Sequence, residues 1–341
     1  MQGFHKPISK TVWLVCTLLL VLALAVPFIA SPFQMRLAQQ VLLFGGMAVA
    51  WNLLGGFTTY WSFGHTAFFG LGAFAAGLLA QSLGPDVSPE MRMGLGILLA
   101  VGLSLIAAVA IALPVLRLRG IYFAIAMLAF AQILGEVTKT FEFFQGAFGF
   151  PLPNVGVPGL QKVQVFYFLF LLFCVLCIAV FVAFRRSRLG VGLTCIGQDE
   201  DTAAMLGIPT ERYKLTAFVL SAVLTSVGGV LYAYSLGFIT TGSVFRIEIS
   251  LNLILYSMVG GIGTVVGPIL GAGIMTVLTQ VVLGNLLDWH MMLTGAVLIA
   301  MVMLAPKGVI GLLRKQFARR KPESRKPASQ AGVSKKTEAR P

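Results

Sequence analysis

Residues 163–184 read VQVFYFLFLLFCVLCIAVFVAF, a run of 22 residues without a charged side chain. A helix needs about 20 mostly apolar residues to cross the hydrocarbon core of a bilayer, so this run is long enough to span it. Similar runs recur along the 341-residue chain, which is 57% hydrophobic and only 11% charged. Soluble domains carry roughly 25% charged residues. The sequence therefore predicts an all-α, polytopic bundle of transmembrane helices.

The apolar runs predict about ten spans, within a range of roughly eight to eleven. They lie at 11–30, 37–54, 63–82, 93–116, 120–137, 163–184, 213–236, 248–262, 265–284 and 290–306. The run at 248–262 is short and interrupted by glycine, so a re-entrant segment is an alternative there. We interpret 1–312 as one membrane domain and 313–341 as a basic, disordered cytoplasmic tail.

Lysine and arginine are distributed unequally between the two predicted faces. With ten spans and the N-terminus inside, the inside segments hold 20 of them and the outside segments hold 5. Cytoplasmic loops of membrane proteins are enriched in Lys and Arg, so both termini are predicted to be cytoplasmic. Ten of the basic residues lie between Arg314 and Arg340. The net charge of +13 therefore indicates contact with anionic lipid rather than with nucleic acid.

The sequence carries no recognisable catalytic or metal-binding motif. The HExxH, GxSxG and Walker patterns are absent, and no inserted soluble domain is present to bind a nucleotide. Cys174 and Cys177 form a CxxC inside an apolar run without a nearby histidine, which favours packing over metal or redox chemistry. The predicted spans lack charged groups at mid-depth, which ion-coupled carriers usually need. We therefore predict no enzyme activity, no cofactor and no bound metal.

The segment 185–212 is the long polar connection on the predicted inner face, and it reads RRSRLGVGLTCIGQDEDTAAMLGIPTER. Within it, 194–206 is predicted to form one short helix that ends at Gly207 in a positive-φ conformation. An amphipathic helix of this kind can dock into a groove on another protein, and Ala203 and Ala204 would allow close approach. A solvated connection is the alternative.

This connection resembles the coupling loop of branched-chain amino acid ABC transporter permeases. The matching residues are Gly190, Ile196, Asp199, Ala203, Ala204, Gly207 and Ile208, and Glu200 completes the acidic pair beside Asp199. In that family the loop sits on the ATPase subunit and transmits its closure, and the resemblance implies the same role here. The family often carries basic residues where this chain has TCIGQ at 194–198, which leaves the individual ATPase contacts open.

Three further stretches, 52–74, 116–135 and 236–271, resemble the same family. The residues in them that we expect to line the translocation pathway or to pack helices are Asn52, Ser62, Gly64, His65, Gly261, Gly263, Gly267 and Pro268.

Glycine spacing and a lone histidine support these expectations. Gly263, Gly267 and Gly271 recur every four residues, so on a helix they would form one smooth stripe for a neighbouring backbone. Pro268 would break or kink that helix, as in helices that line a pathway, with tight packing alone as the alternative. His65 has no second histidine or carboxylate three or four residues later, which favours a bridge between helices over metal binding.

The resemblance implies a membrane-spanning permease subunit of an ABC importer for branched-chain or related amino acids in the bacterial inner membrane. It implies a second homologous permease subunit, two ATPase subunits and a periplasmic substrate-binding protein as partners. One alternative is a permease for urea or short amides. Another is an ion-coupled secondary carrier or channel that acts alone.

Overall fold

The computed structural model describes residues 30–58, 60–83, 86–141, 148–155 and 159–282, together with the isolated positions Leu24, Val26, Pro27 and Gly295. In chain order its helices are α1 (Pro32–Thr58), α2 (His65–Ser82), α3 (Pro89–Val115), α4 (Ile121–Thr140), α5 (Gly159–Arg186), α6 (Arg188–Gln198), α7 (Glu200–Met205), α8 (Thr210–Leu236), α9 (Thr241–Val244), α10 (Ile247–Gly260) and α11 (Gly267–Val277). A π-helical turn, Leu278–Val282, continues α11. Two short strands, β1 (Phe150–Pro151) and β2 (Phe238–Ile239), pair antiparallel.

Six helical segments in the described part of the chain are long and apolar enough to cross a membrane. They are Pro32–Thr58, Pro89–Val115, Ile121–Thr140, Gln161–Arg186, Thr210–Leu236 and Thr241–Gly260. Each overlaps a predicted span, which confirms the helical, polytopic class. The predicted spans 11–30 and 290–306 and the tail 313–341 lie almost entirely outside the described residues. The total of about ten spans and the orientation of the termini stay predictions.

Helix α2 lies inside the bundle, and most of its residues are buried. It crosses α8 at close range because both helices carry glycine at the crossing. A Cβ added to Gly72 would collide with the backbone carbonyl of Ser226, and one added to Gly229 would collide with that of Phe69. Helices in membranes are held together largely by close van der Waals packing of this kind.

The connections between helices gather at two opposite ends of the bundle. One end, which we call the α7 end, holds α6, α7, the residues 60–64 and the turn between α3 and α4. The other, which we call the strand end, holds β1 and β2, and there the Leu152 amide donates a hydrogen bond to the Gly237 carbonyl at 2.9 Å. Residues of three predicted inner connections, Tyr60, Arg119 and Glu200, meet at the α7 end, and residues of two predicted outer connections, Pro151 and Phe238, pair at the strand end.

Candidate functional site

The predicted coupling segment folds as two helices rather than one. Asp199 is extended, with φ −159° and ψ 114°, and it separates α6 from α7. Its Oδ1 accepts a 2.7 Å hydrogen bond from the Thr202 amide, which caps the start of α7. The single helix predicted over 194–206 is therefore wrong, because an aspartate that caps a new helix competes with continuation of the old one. Gly207 has φ 80°, as expected for a residue that ends a helix.

Helix α6 is packed tightly onto the ends of α1 and α5. A Cβ on Gly197 would collide with the Phe57 carbonyl at the end of α1, and one on Gly190 would crowd the Phe184 carbonyl at the end of α5. Ile196 is buried on the same helix. Gly190 and Ile196 therefore hold the loop against the bundle and do not present an outer surface.

Helix α7 is held by a buried polar cluster, Glu200, Lys214, Tyr60 and the Leu116 carbonyl. The Lys214 Nζ donates to Glu200 Oε1 at 2.7 Å, to the Leu116 carbonyl at 3.1 Å and to the Tyr60 hydroxyl at 3.2 Å. The Tyr60 hydroxyl in turn donates to Glu200 Oε2 at 2.6 Å. Lys214 is only 2% exposed, and a charge so deeply buried requires such partners.

The electrostatics of this cluster favour the ion pair. Burial by itself raises the pKa of Glu200, but hydrogen bonds from Lys214 and Tyr60 outweigh it and place that pKa below its ordinary value. Burial, followed by the hydrogen bond to Glu200, raises the pKa of Tyr60, so its hydroxyl keeps its proton. At the surface, Arg119 Nη2 lies 2.9 Å from Asp201 Oδ1 and adds a second, exposed ion pair to α7.

The outer tip of this loop is apolar and exposed. Met205 is 87% exposed and Leu206 is 74% exposed, and Ala204 is exposed beside them. Ala203 is buried instead, and its carbonyl accepts a 3.1 Å hydrogen bond from the Ile208 amide. Ala204 thus keeps the surface position expected of both alanines, while Ala203 packs inward. Apolar side chains presented on a rigid support are typical of protein interaction sites.

His65 lies at the start of α2 and joins three segments of the bundle. Its Nε2 is 2.7 Å from the Ser221 hydroxyl of α8, and its Nδ1 is 3.0 Å from the Ser62 hydroxyl. Ser221 donates its own proton to the Ala50 carbonyl of α1 at 2.7 Å, so it must accept from His65. The Nε2 atom of His65 therefore carries a proton. This geometry agrees with the predicted bridge between helices.

The Asn52 side chain of α1 makes two hydrogen bonds to the turn between α10 and α11. Its side-chain amide donates to the Thr264 carbonyl at 2.9 Å, and its carbonyl oxygen accepts from the Gly263 amide at 3.0 Å. Gly261 and Gly263 have φ values of 126° and 74°, which a residue with a side chain rarely adopts. These glycines permit a tight turn, and the Asn52 side chain links that turn to α1.

The predicted glycine stripe is corrected by this turn. Gly263 lies in the turn rather than on a helix, so only Gly267 and Gly271 share the face of α11. A Cβ on Gly271 would collide with the Tyr256 carbonyl, which shows that α10 and α11 pack backbone to backbone. Pro268 stands in the first turn of α11, where its missing amide costs nothing, so it starts the helix and does not kink it.

Gly64 completes the set of predicted packing residues. It precedes α2, and a Cβ there would collide with Met127 of α4. Together with the contacts of Asn52, Ser62 and His65, this favours helix packing for these positions. A role in lining the translocation pathway stays a prediction.

The structure adds contacts that the sequence did not predict. Tyr60 and Lys214 complete the cluster around Glu200, and Arg119 pairs with Asp201. The one available signal was Lys214 itself, a lysine just inside the apolar run that begins at 213. A lysine in such a place needs a partner, but spacing does not reveal which carboxylate supplies it.

A bundle of membrane-length apolar helices with a well-packed, partly exposed loop at one end defines an integral membrane protein. Residues 34–302 match the family model described as the permease component of the branched-chain amino acid transport system. The chain belongs to this family, and the predicted resemblance is confirmed.

Individual relatives support the same assignment. The chain is 27% identical over 329 residues to the high-affinity branched-chain amino acid transport system permease protein LivM of Escherichia coli K12, covering 88% of this chain and 75% of the relative. It is 28% identical over 137 residues to the autoinducer 2 import system permease protein LsrC of Yersinia enterocolitica, 38% of each chain. No solved structure matches this chain significantly. The chain is thus a permease component of an ABC transporter.

Proposed function

We propose that this permease imports branched-chain or related amino acids across the bacterial inner membrane, with energy from ATP hydrolysis in partner subunits. The observation that carries the proposal is the loop at the α7 end. It combines the family's coupling pattern with an exposed apolar tip on a support that is packed and bonded to the bundle.

The distribution of charge supports an external source of energy. In the described membrane-length helices, most charged side chains lie at or near the helix ends, as Arg36, Glu136 and Lys214 do. Arg246 and Glu248, which form an exposed ion pair, are the exception, because they lie within Thr241–Gly260. Ion-coupled carriers usually place ionisable groups within their spans. This permease would therefore work with two ATPase subunits, which drive alternation between its inward-open and outward-open states.

The cargo and the remaining partners follow from the relatives. LivM is named for branched-chain amino acids, whereas LsrC is named for autoinducer 2, so the family transports more than one kind of small polar molecule. A periplasmic binding protein would deliver the substrate and select among leucine, isoleucine and valine. A second homologous permease subunit would complete the pathway. Urea and short amides are the alternative cargo.

The direct test is uptake into proteoliposomes that contain the chain with its second permease and its ATPase subunits. We expect uptake of labelled leucine only when ATP is inside and the binding protein is outside. An ATPase subunit inactivated in its Walker lysine is the matched control. Uptake that persists with this control and follows a proton or sodium gradient would contradict the proposal and favour a secondary carrier.

A further inference from the structure

Each polar group in the cluster around Lys214 has a hydrogen-bond partner. The three ammonium protons have three acceptors: Glu200 Oε1, the Leu116 carbonyl and the Tyr60 hydroxyl. The second carboxylate oxygen of Glu200 accepts from Tyr60. The Tyr60 ring is fixed in turn, since it lies 4.8 Å from Nζ and meets the Phe123 ring edge-on at 5.0 Å. Moving Glu200 or Lys214 alone would separate the ion pair and leave the buried Lys214 charge without its carboxylate, which is strongly unfavourable.

The members of the cluster come from separate parts of the chain. Glu200 is on α7, Lys214 is on α8, Leu116 ends α3, and Tyr60 lies between α1 and α2. A displacement of α7 therefore reaches all of these elements at once. The backbone segments on either side of α7 transmit a displacement less directly than the polar cluster does. One is the single extended residue Asp199, and the other is the turn that contains Gly207.

We infer that Glu200, Lys214 and Tyr60 are positioning residues that carry a displacement of α7 to the adjoining ends of α1, α3 and α8. The inference rests on the proposed function, since it requires an ATPase that moves α7. The polar cluster makes α7 and these helix ends one mechanical unit. Without this cluster, α7 would move with the ATPase but would not displace the helices that open and close the pathway.

The test measures ATP hydrolysis and substrate uptake together in the complete, reconstituted importer. The variants are Glu200→Gln, Lys214→Met and Tyr60→Phe, each close in shape to the original residue. We expect uptake per ATP hydrolysed to fall about fivefold or more, within the usual range of energetic coupling between sites. Glu136→Gln is the matched control, because it removes the exposed Glu136–Lys139 ion pair at the strand end. The control should keep the wild-type ratio.

The ratio separates a positioning role from a merely structural one. If the variants keep the wild-type ratio of uptake to ATP hydrolysis, whether or not both rates fall, the inference is overturned. Tyr60→Phe removes a single hydroxyl and keeps the ion pair, so it supplies a measurement even if Lys214→Met fails to assemble. A wild-type importer that does not link uptake to ATP would overturn the proposed function as well. A linked wild type with unaffected variants would overturn this inference alone.

Discussion

The buried imidazole of His65 links several segments of the bundle through hydrogen bonds. His65 Nδ1 shares a hydrogen bond with the Ser62 hydroxyl, His65 Nε2 donates to Ser221, and Ser221 donates onward to α1. Both ring nitrogens of His65 are engaged and the Ser221 hydroxyl both accepts and donates, so the loss of one hydroxyl leaves a buried neighbour without its partner. The cost of an unsatisfied buried donor exceeds the gain from a typical hydrogen bond.

We predict that Ser221→Ala lowers the free energy of unfolding by about 1–2 kcal/mol, because the His65 Nε2 proton loses its acceptor. Thermal unfolding of the purified chain in detergent measures the change. Ser82→Ala is the control, since the Ser82 hydroxyl is exposed and donates to the Leu79 carbonyl within its own helix. Equal melting temperatures for the two variants would show that the His65 bridge contributes nothing.

At the scale of elements, the crossing of α2 and α8 depends on glycine. We predict that Gly72→Ala destabilises the bundle by about 1–3 kcal/mol, because its methyl group would meet the Ser226 backbone, which cannot rotate away. The yield and melting temperature of folded protein report the effect. Gly102→Ala is the matched control, as no residue that the structure describes lies within 4 Å of its added Cβ. A similar loss in both variants would contradict the packing argument.

Helix α7 yields a prediction about binding rather than folding. Ala204→Glu places a charge beside the exposed Met205 and Leu206, so we expect it to weaken association with the ATPase subunits roughly tenfold and to leave the melting temperature unchanged. Titration of the purified ATPase onto the permease in detergent gives the affinity. Phe148→Asp, at an exposed position of the strand end, is the control. Unchanged binding by Ala204→Glu would place the docking surface elsewhere.

The division of the coupling segment into α6 and α7 also belongs to this scale. Helical spacing over 194–206 predicts one element, and the residues there are compatible with it. Gly197 contacts the end of α1, whereas Glu200 is bonded to Lys214 of α8, so the two halves of the segment are held by different helices. Asp199 lowers the free-energy cost of the break between the helices, because its side chain caps the start of α7.

At the scale of the whole molecule, the two ends of the bundle should face opposite sides of the membrane. We predict that Met205→Cys reacts with a membrane-impermeant thiol reagent only from the cytoplasmic side and Phe148→Cys only from the periplasmic side. Labelling of intact cells and of inverted vesicles distinguishes them, in a background from which Cys16, Cys174, Cys177 and Cys195 have been removed. Reactivity of both positions from one side would refute the predicted topology.

The membrane class and the positions of the long helices were determined by the sequence itself. Apolar runs such as 163–184 and 213–236 are unfavourable in water. In a bilayer their backbone N–H and C=O groups must hydrogen-bond to each other, which a helix allows. The helix end at Gly207 and the family membership were likewise predictable, because each depends on residues close together in the chain.

Only the tertiary structure decided which distant residues meet. Glu200 and Tyr60 are 140 positions apart, and Asn52 and Thr264 are 212 apart. Their pairing depends on how the helices cross, which is settled by close packing at positions such as Gly72 and Gly229. Period and composition specify which face of a helix is apolar. They do not specify its neighbour, because lipid and a second helix are almost equally good surroundings for an apolar side chain.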